Sequence, residues 1–446
     1  MIAVHYMQEK NFSKLVRYQA MIATFPDAAS TLLDAAAMLR MQLRTLPKQP
    51  TSSVARIVRL EVPVDDIDPL RWLHAQPHTT KIFWSERHTD SQVAAVGVAD
   101  VLASHRTHEN IHAVVHTLQQ RLATAAPGVR YYGGFRFDQQ EDTDTTWQRF
   151  GAYRFVLPQF ELRRENDATT LALNVLVQPG APLPMDQVLH GLDTLALHDY
   201  GINDRIARPR TRTDLPDHER WRQNIEAALG LFENGTLHKI VLARKAVFQC
   251  DAALDPLALL ARLKAITPNS FHFCFQPQSG VAFIGATPER LYGRTGRTLR
   301  SEAIAGTRPN GATAADTARL GDELLHSEKD VREHVFVREQ IQQRLAPLCS
   351  TLDVAPEPTL LKLTRRQHLW TPIEGHLHVQ VDDADLLSRL HPTSAVGGEP
   401  TTEALRYIAE LEPFDRGWYA GPLGWIARDS AEFAVAIRSG LVDGGR

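Results

Sequence analysis

Three apolar stretches between residues 271 and 307 constrain the fold most strongly. "FHFCFQ" (271–276), "VAFIGATPERLYG" (281–293) and "TLRSEAIAGT" (298–307) are separated only by the glycine-bearing turns "QPQSG" and "GRTG". Links this short join antiparallel neighbours, because a parallel pair needs a crossover of a dozen or more residues. Helical patterns flank these strands. Asp214 or Asp217 opens a helix that sets Trp221, Ile225, Ala228 and Phe232 on one face, and Gly235 ends it. "KIVLARKAVF" (239–248) reads as one strand. Asp255 and Pro256 open another helix with Leu257, Leu260 and Leu263 inward, and residues 314–346 return to helical spacing. Strands grouped between helices with hairpin links predict an α/β chain of the α+β kind, with mixed, mainly antiparallel sheets.

The first half carries helical patterns such as "DAASTLLDAAAMLRMQL" (27–43) and strands such as "RFVLPQFELR" and "TLALNVLVQ", but no tight group of reactive side chains. The glycine pair of "YYGGFRF" (131–137) marks a bend where another backbone comes close. A compositional break at "IARPRTRTDLPDHE" (206–219) divides the chain near residue 212, into 1–212 and 213–446.

With 446 residues, 43% of them hydrophobic, the chain can bury a sizeable core. A net charge of -3 offers neither a basic face for nucleic acid nor an acidic tail, which directs attention to a small-molecule substrate. Cys250, Cys274 and Cys349 lack metal-ligand spacing and cannot build a disulfide framework. With no leader-like apolar run in "MIAVHYMQEKNFSKLVRYQ" and no membrane-length stretch, a reducing, cytoplasmic location is expected.

Several residues in the second half can carry chemistry. Lys239 shares a strand face with Val241 and Ala243; turned inward, it loses hydration, its pKa falls and it can act as a base. The plainer reading is a lysine at a strand mouth with its amine in water. Glu289 follows Pro288, which fixes the backbone before it, and serves either as a general acid or as a salt-bridge partner. Gly306 and Thr307 form a turn whose backbone and hydroxyl can meet a carboxylate, without the lysine or glycine spacing of a phosphate loop. Asp330 and Glu333, three apart on a helix, are either a pair of oxygen ligands suited to Mg²⁺ or a solvated face neutralised by Lys329 and Arg332. His368 is a lone histidine. Arg438 lies on an otherwise apolar strand, where an unpaired guanidinium is costly and its planar fork matches a carboxylate.

In this order, "KIVLARK", "FIGATPERL", "SEAIAGTRPNG", "SEKDVREHVFV", "QHLWTPIEG", "LHPTSAVGGEPTTEALRYIAELEPFDRGWYAGPLGW" and "EFAVAIRSG" resemble the successive motifs of the chorismate-binding enzymes. "IFWSER", "YYGGFRF" and "FGAYRFVLPQFELRR" resemble the scaffold half of that family less specifically. The resemblance implies large, mainly antiparallel sheets packed as a sandwich and surrounded by helices. Lysine at position 239 implies the branch that adds water to chorismate, forming isochorismate; the ammonia-using branches carry a different residue there. Ala305, where aminodeoxychorismate synthases carry lysine, points the same way. The resemblance also implies Lys239 as the base, Glu289 as the acid, and Gly306, Thr307, His368, Tyr419 and Arg438 around the substrate. It implies Mg²⁺ as cofactor, held partly by Glu333 with Asp330 nearby. Salicylate synthases, which go on to eliminate pyruvate, share the lysine and the glutamate.

After the strand bearing the arginine, members of the family continue through a further strand, a glycine-rich turn and a helix with additional metal-site carboxylates, none of which this chain shows. Two expectations follow from that difference: an incomplete metal site with impaired catalysis, and an exposed edge at Arg438's strand through which an otherwise monomeric protein could pair with another chain.

Overall fold

The computed structural model describes residues 31–47, 54–106, 110–138, 144–197, 201–202 and 207–446. The N-terminal stretch inspected for a leader, and residues 27–30 of the helical run, lie outside them.

Two large sheets carry the fold. The first has eight strands in the order Arg56–Val64, Ala168–Val177, Phe160–Glu165, Gln92–Val96, Lys81–Ser85, Phe271–Gln278, Val281–Thr287 and Ser439–Asp443. The second has ten, with Cys349–Val354, Arg366–Leu377, Thr298–Pro309, Arg290–Thr295, Ser430–Val435, Pro422–Ile426, Tyr131–Phe135, Tyr153–Leu157 and Asp100–Ser104 in line and Thr359–Lys362 paired to Arg366–Leu377. Each pairing in both is antiparallel, as the short turns require.

Aromatic side chains fill the space between the sheets: Trp84, Phe271 and Phe283 from the first meet Tyr132 and Trp425 from the second, with Trp147, Phe150 and Trp418 among them. Helices cover both outer faces. Leu39, Trp72, Leu192 and Leu260 pack on the first sheet, and Leu118, Val337, Ile341 and Leu387 on the second. The result is a four-layered sandwich in which each fully buried Leu or Phe contributes about 1.5–3 kcal/mol over exposure. The bend read at "YYGGFRF" is such a close approach: a Cβ on Gly133 would lie 1.9 Å from the Arg154 carbonyl oxygen.

Caps follow the sequence. Asp217 accepts from the Arg220 N–H to start helix His218–Glu233, and Asp255 accepts from Leu257 and Ala258 ahead of Pro256–Ile266. The helical run at 314–346 is two helices, Ala314–Leu325 and Glu328–Leu345.

Several expectations are corrected. Helix His218–Glu233 buries only Asn224 and Ala228, while Ile225 and Phe232 stay more than a third exposed, so its apolar stripe is not a core face. "KIVLARKAVF" is two strands, Lys239–Ile240 paired to Gly398–Glu399 and Lys245–Cys250 paired to Pro209–Leu215. The stretch read as a break near residue 212 is therefore itself strand, and both sheets draw strands from either side of it. "VAFIGATPERLYG" is also two strands, and they belong to different sheets. Finally, the strand before Arg438, Ser430–Val435, is not an edge: it lies between Arg290–Thr295 and Pro422–Ile426. A strand does follow Arg438, and this one, Ser439–Asp443, ends the eight-stranded sheet.

Candidate active site

The chain passes from one sheet to the other at two neighbouring corners. At Pro288–Glu289 it leaves Val281–Thr287 for Arg290–Thr295, and at Ala436–Arg438 it leaves Ser430–Val435 for Ser439–Asp443. Backbone and hydroxyl groups tie the corners together. The Val435 N–H donates to the Glu289 carbonyl at 3.0 Å, the Ala286 N–H to the Arg438 carbonyl at 3.1 Å, and Thr287 Oγ1 to the Val435 carbonyl at 2.7 Å. Arg438 has φ +50, a left-handed conformation that costs a residue with a side chain about 1–2 kcal/mol. The corners thus bring a carboxyl and a guanidinium to one place.

Glu289 is 7% exposed, and burial, with the nearby Glu302 carboxylate, pushes its pKa up to about 7 against the opposing pull of Lys239, Arg438 and Arg87. Lys239 faces it from the short strand Lys239–Ile240. Burial lowers the lysine's pKa, opposed by Glu333 and Glu289, and its Nζ lies 3.6 Å from Glu333 Oε1. Desolvation therefore moves both groups toward their neutral forms, an amine ready to accept a proton and a carboxyl ready to give one. Of the two readings of Lys239, the structure has the lysine turned inward, and no hydrogen-bonded ion pair claims the Glu289 carboxyl among the described residues.

His368 stands opposite Thr307 across the strand pair and bridges it to Arg438. Its Nε2 lies 2.8 Å from an Arg438 NH2, and its Nδ1 lies 2.9 Å from Thr307 Oγ1 and 3.3 Å from the Gly306 carbonyl. Burial and Arg438 take its pKa down to about 4. A neutral ring that accepts at Nε2 carries its proton on Nδ1, so His368 orients the guanidinium without competing for anions. Gly306, at φ +73, forms a bulge in this pair, and a Cβ there would come 3.2 Å from the Cβ of Asp330. Helix Glu328–Leu345 packs close to this glycine, which explains why the position has no side chain. Tyr419 lines an adjoining cleft of about 890 Å³ together with Lys245, Phe283, Arg416 and Leu441. Burial raises its phenol pKa, Arg416 opposes this, and Glu412 and Glu289 add to it.

The Asp330 and Glu333 pair separates. Asp330 Oδ2 accepts from Arg308 at 2.7 Å and Ser327 at 2.6 Å, and those partners hold its pKa below the ordinary range in spite of burial. Glu333 alone turns toward Lys239. That leaves Glu333, its side chain nearly half exposed, as the one hard oxygen donor of the pair open to a Mg²⁺ that would complete its shell with water and substrate. Among the described residues one group of three potential ligands falls within 4.8 Å, His112, Asp382 and Asp385. It sits at the starts of helices Ile111–Leu122 and Asp383–Leu390, where the helix dipoles oppose a cation.

Four residues that the sequence reading passed over belong to the surroundings. Arg87 and Trp370 both bond the Glu302 carboxylate, the latter at 2.8 Å through its indole N–H. Arg366, on the same strand face as His368, lines a cleft of about 320 Å³ with Arg365, Arg438, Asn269 and Ser270. Glu302 was visible as a charge leading into the apolar run Ala303–Ala305, a signal like the one that drew attention to Arg438, whereas Arg87 sits in the polar stretch 85–90. Arg366 sits beside another arginine, where a solvated pair is the plainer reading.

A family profile described as chorismate binding enzyme matches residues 42–446. Isochorismate synthase MenF of Bacillus subtilis is 31% identical over 423 residues, covering 90% of this chain and 89% of that protein. The salicylate biosynthesis isochorismate synthase of Pseudomonas aeruginosa is 32% identical over 413 residues, covering 87% and 83%. Among solved structures, that of MenF, the menaquinone-specific isochorismate synthase from Escherichia coli, aligns with a TM-score of 0.81 at 30% identity, covering 93% of this chain and 91% of that one.

Proposed function

This chain belongs to the chorismate-binding enzyme family, and from that membership we propose that it is an isochorismate synthase. The observation that carries the reading is the pairing of a lysine and a glutamate whose pKa values burial moves in opposite directions within one site. Neutral Lys239 takes a proton from the water that attacks C2 of chorismate. Protonated Glu289 gives its proton to the C4 hydroxyl, which departs as water while the ring's double bonds shift. One water enters and one leaves, so the reaction is an isomerisation. Lys239 ends protonated and Glu289 ionised, and exchange with solvent resets both.

Arg438, oriented by His368, meets a substrate carboxylate through its planar fork. Thr307 holds the other nitrogen of His368, and Tyr419 borders the site. Glu333 would hold Mg²⁺; when bound, the ion supplies positive charge against the substrate's ring carboxylate. Asp330 supports the helix start through Ser327 and does not enter this set. The menaquinone route is the pathway we favour, following the likeness to a menaquinone-specific relative. Among the described residues no helix is long and apolar enough to cross a membrane.

The test is incubation of the purified chain with chorismate and Mg²⁺, following isochorismate, salicylate and pyruvate by chromatography. Isochorismate without pyruvate is the expected result. Salicylate with pyruvate would reassign the chain to the salicylate synthases, and absence of turnover would remove the catalytic reading. Chelation of Mg²⁺ with EDTA abolishes product formation on this reading.

A further inference from the structure

Arg87 comes from the half of the chain read as scaffold, yet it ends beside the acid. It follows strand Lys81–Ser85 and is 4% exposed. One of its terminal nitrogens donates to the carbonyl of Pro288, and the other to Glu302 Oε2. Glu302, 3% exposed, also accepts the Arg290 backbone N–H at 2.8 Å through Oε1 and the Trp370 indole N–H at 2.8 Å through Oε2.

The carbonyl of Pro288 belongs to the peptide unit before Glu289, and the N–H of Arg290 to the unit after it. Arg87 therefore holds one of the two peptide planes that carry Glu289, Glu302 holds the other, and an ion pair joins the two holders. The remaining polar groups of the corner are also occupied. The Glu289 N–H donates to Thr287 Oγ1 at 3.3 Å, and its carbonyl accepts from the Val435 N–H at 3.0 Å. With its backbone held on every side, the Glu289 side chain has a fixed origin.

We propose that Arg87 is a positioning residue of the acid step, clamping the Pro288–Glu289 corner directly and through Glu302 so that the Glu289 carboxyl is presented to the departing hydroxyl. This inference rests on the proposed reaction for the identity of the acid. A carboxyl that must deliver a proton to one atom gains from being held within a fraction of an ångström, and a misplacement of about 1 Å can lower a rate on the order of 10²-fold. The guanidinium suits this task because its fork reaches two acceptors at once, whereas an ammonium is a point charge on a flexible stem.

The charges that face Glu289 are Glu302, Lys239, Arg438 and Arg87, and its own charge acts in turn on Tyr419. Glu302 favours the protonated acid and Arg87 the ionised one, while neither figures among the influences on Lys239. A positioning role therefore has a signature that simple support of the fold lacks.

The experiment compares Arg87→Gln, Arg87→Lys and Glu302→Gln with the unmodified chain, measuring kcat and KM across pH together with thermal unfolding. Arg87→Gln is expected to lower kcat on the order of 10²-fold, with KM changed less than about threefold, and to move the alkaline limb of the profile to higher pH. Glu302→Gln moves that limb to lower pH. Arg87→Lys returns the limb toward its original position but recovers only part of kcat. Loss of melting temperature with kcat per folded molecule and that limb unchanged would overturn the proposal.

Selective ¹³C labelling of glutamate carboxyls, with Glu289→Gln to assign the resonance, reads the same displacement without turnover: upward in Arg87→Gln and downward in Glu302→Gln. An unmoved Glu289 titration in both variants would also overturn the proposal. If the unmodified chain turned over no chorismate, the reaction assignment would fall by itself, and the titration would still decide whether Arg87 and Glu302 govern Glu289. Should Arg87→Gln fail to fold, Arg87→Lys and Glu302→Gln carry both measurements.

Discussion

Glu161 and Glu289 are both buried carboxylates, 0% and 7% exposed, and their surroundings drive them in opposite directions. Around Glu161, in the first sheet, Arg59 and Arg163 both make ion pairs to Oε1, and Arg59 also donates to Asn174 Oδ1 at 3.0 Å. Burial by itself would raise its pKa, but Arg163 and Arg59 overcome that and take it down to about 2. Around Glu289 the cations do not outweigh burial and the second carboxylate, and the pKa rises to about 7. A buried carboxylate shared by two guanidiniums serves the fold. A buried acid that is left unpaired can change its protonation near neutrality, and that is the property a proton donor needs.

The sharpest way to break this contrast is to remove the titrating groups. Lys239→Ala and Glu289→Gln are each expected to lower chorismate turnover by about 10²–10⁴-fold while leaving circular dichroism and melting temperature near those of the unmodified chain. Intact turnover in Lys239→Ala would remove the lysine from its role as base. The converse change is at Glu161. Glu161→Gln leaves two buried guanidiniums without their shared partner, so it is expected to cost about 3–5 kcal/mol in a urea titration, with turnover per folded molecule unaltered. A stable Glu161→Gln variant would show that the pairing is worth less than its burial implies.

pH separates the two carboxylates further. Glu161 has a depressed folded-state pKa, so its contribution to stability is fully present above the ordinary carboxylate value and is lost as pH falls toward about 2. Turnover instead declines as pH rises through about 7, because Glu289 ionises. A stability profile and an activity profile taken on the same preparation check both directions. The smallest expected effect is at Arg366, which flanks Arg438 at the cleft rim. Arg366→Ala should raise KM for chorismate about two- to fivefold and flatten its dependence on salt, with kcat little changed. An unaltered KM would exclude Arg366 from substrate attraction.

Much of the site was legible before the fold was known, though in fragments. Lys239 and Arg438 stood out as charges on apolar strands and Glu289 as a carboxylate set by the proline before it, and the structure gathers all three. Asp330 shows where that reasoning fails. Helical spacing put it beside Glu333, but spacing says nothing of Arg308 and Ser327, which claim its carboxylate. Arg87 escaped notice for a related reason. Its partners Pro288 and Glu302 lie 201 and 215 residues away along the chain.

Helix starts at Asp217 and Asp255, and the antiparallel hairpins after residue 270, were decided within a few residues of themselves, since capping bonds and turn geometry are local. The breaks inside "KIVLARKAVF" and "VAFIGATPERLYG" were not, because apolar alternation continues unchanged where a strand leaves one sheet for another. Only strand pairing across long separations, such as the Thr287 bond to Val435 at 148 residues, places the corners of Glu289 and Arg438 side by side. The residue types needed for acid, base and anion recognition are therefore written in the sequence. Their pKa values and their meeting are properties of burial, which exists only once distant strands have closed over them.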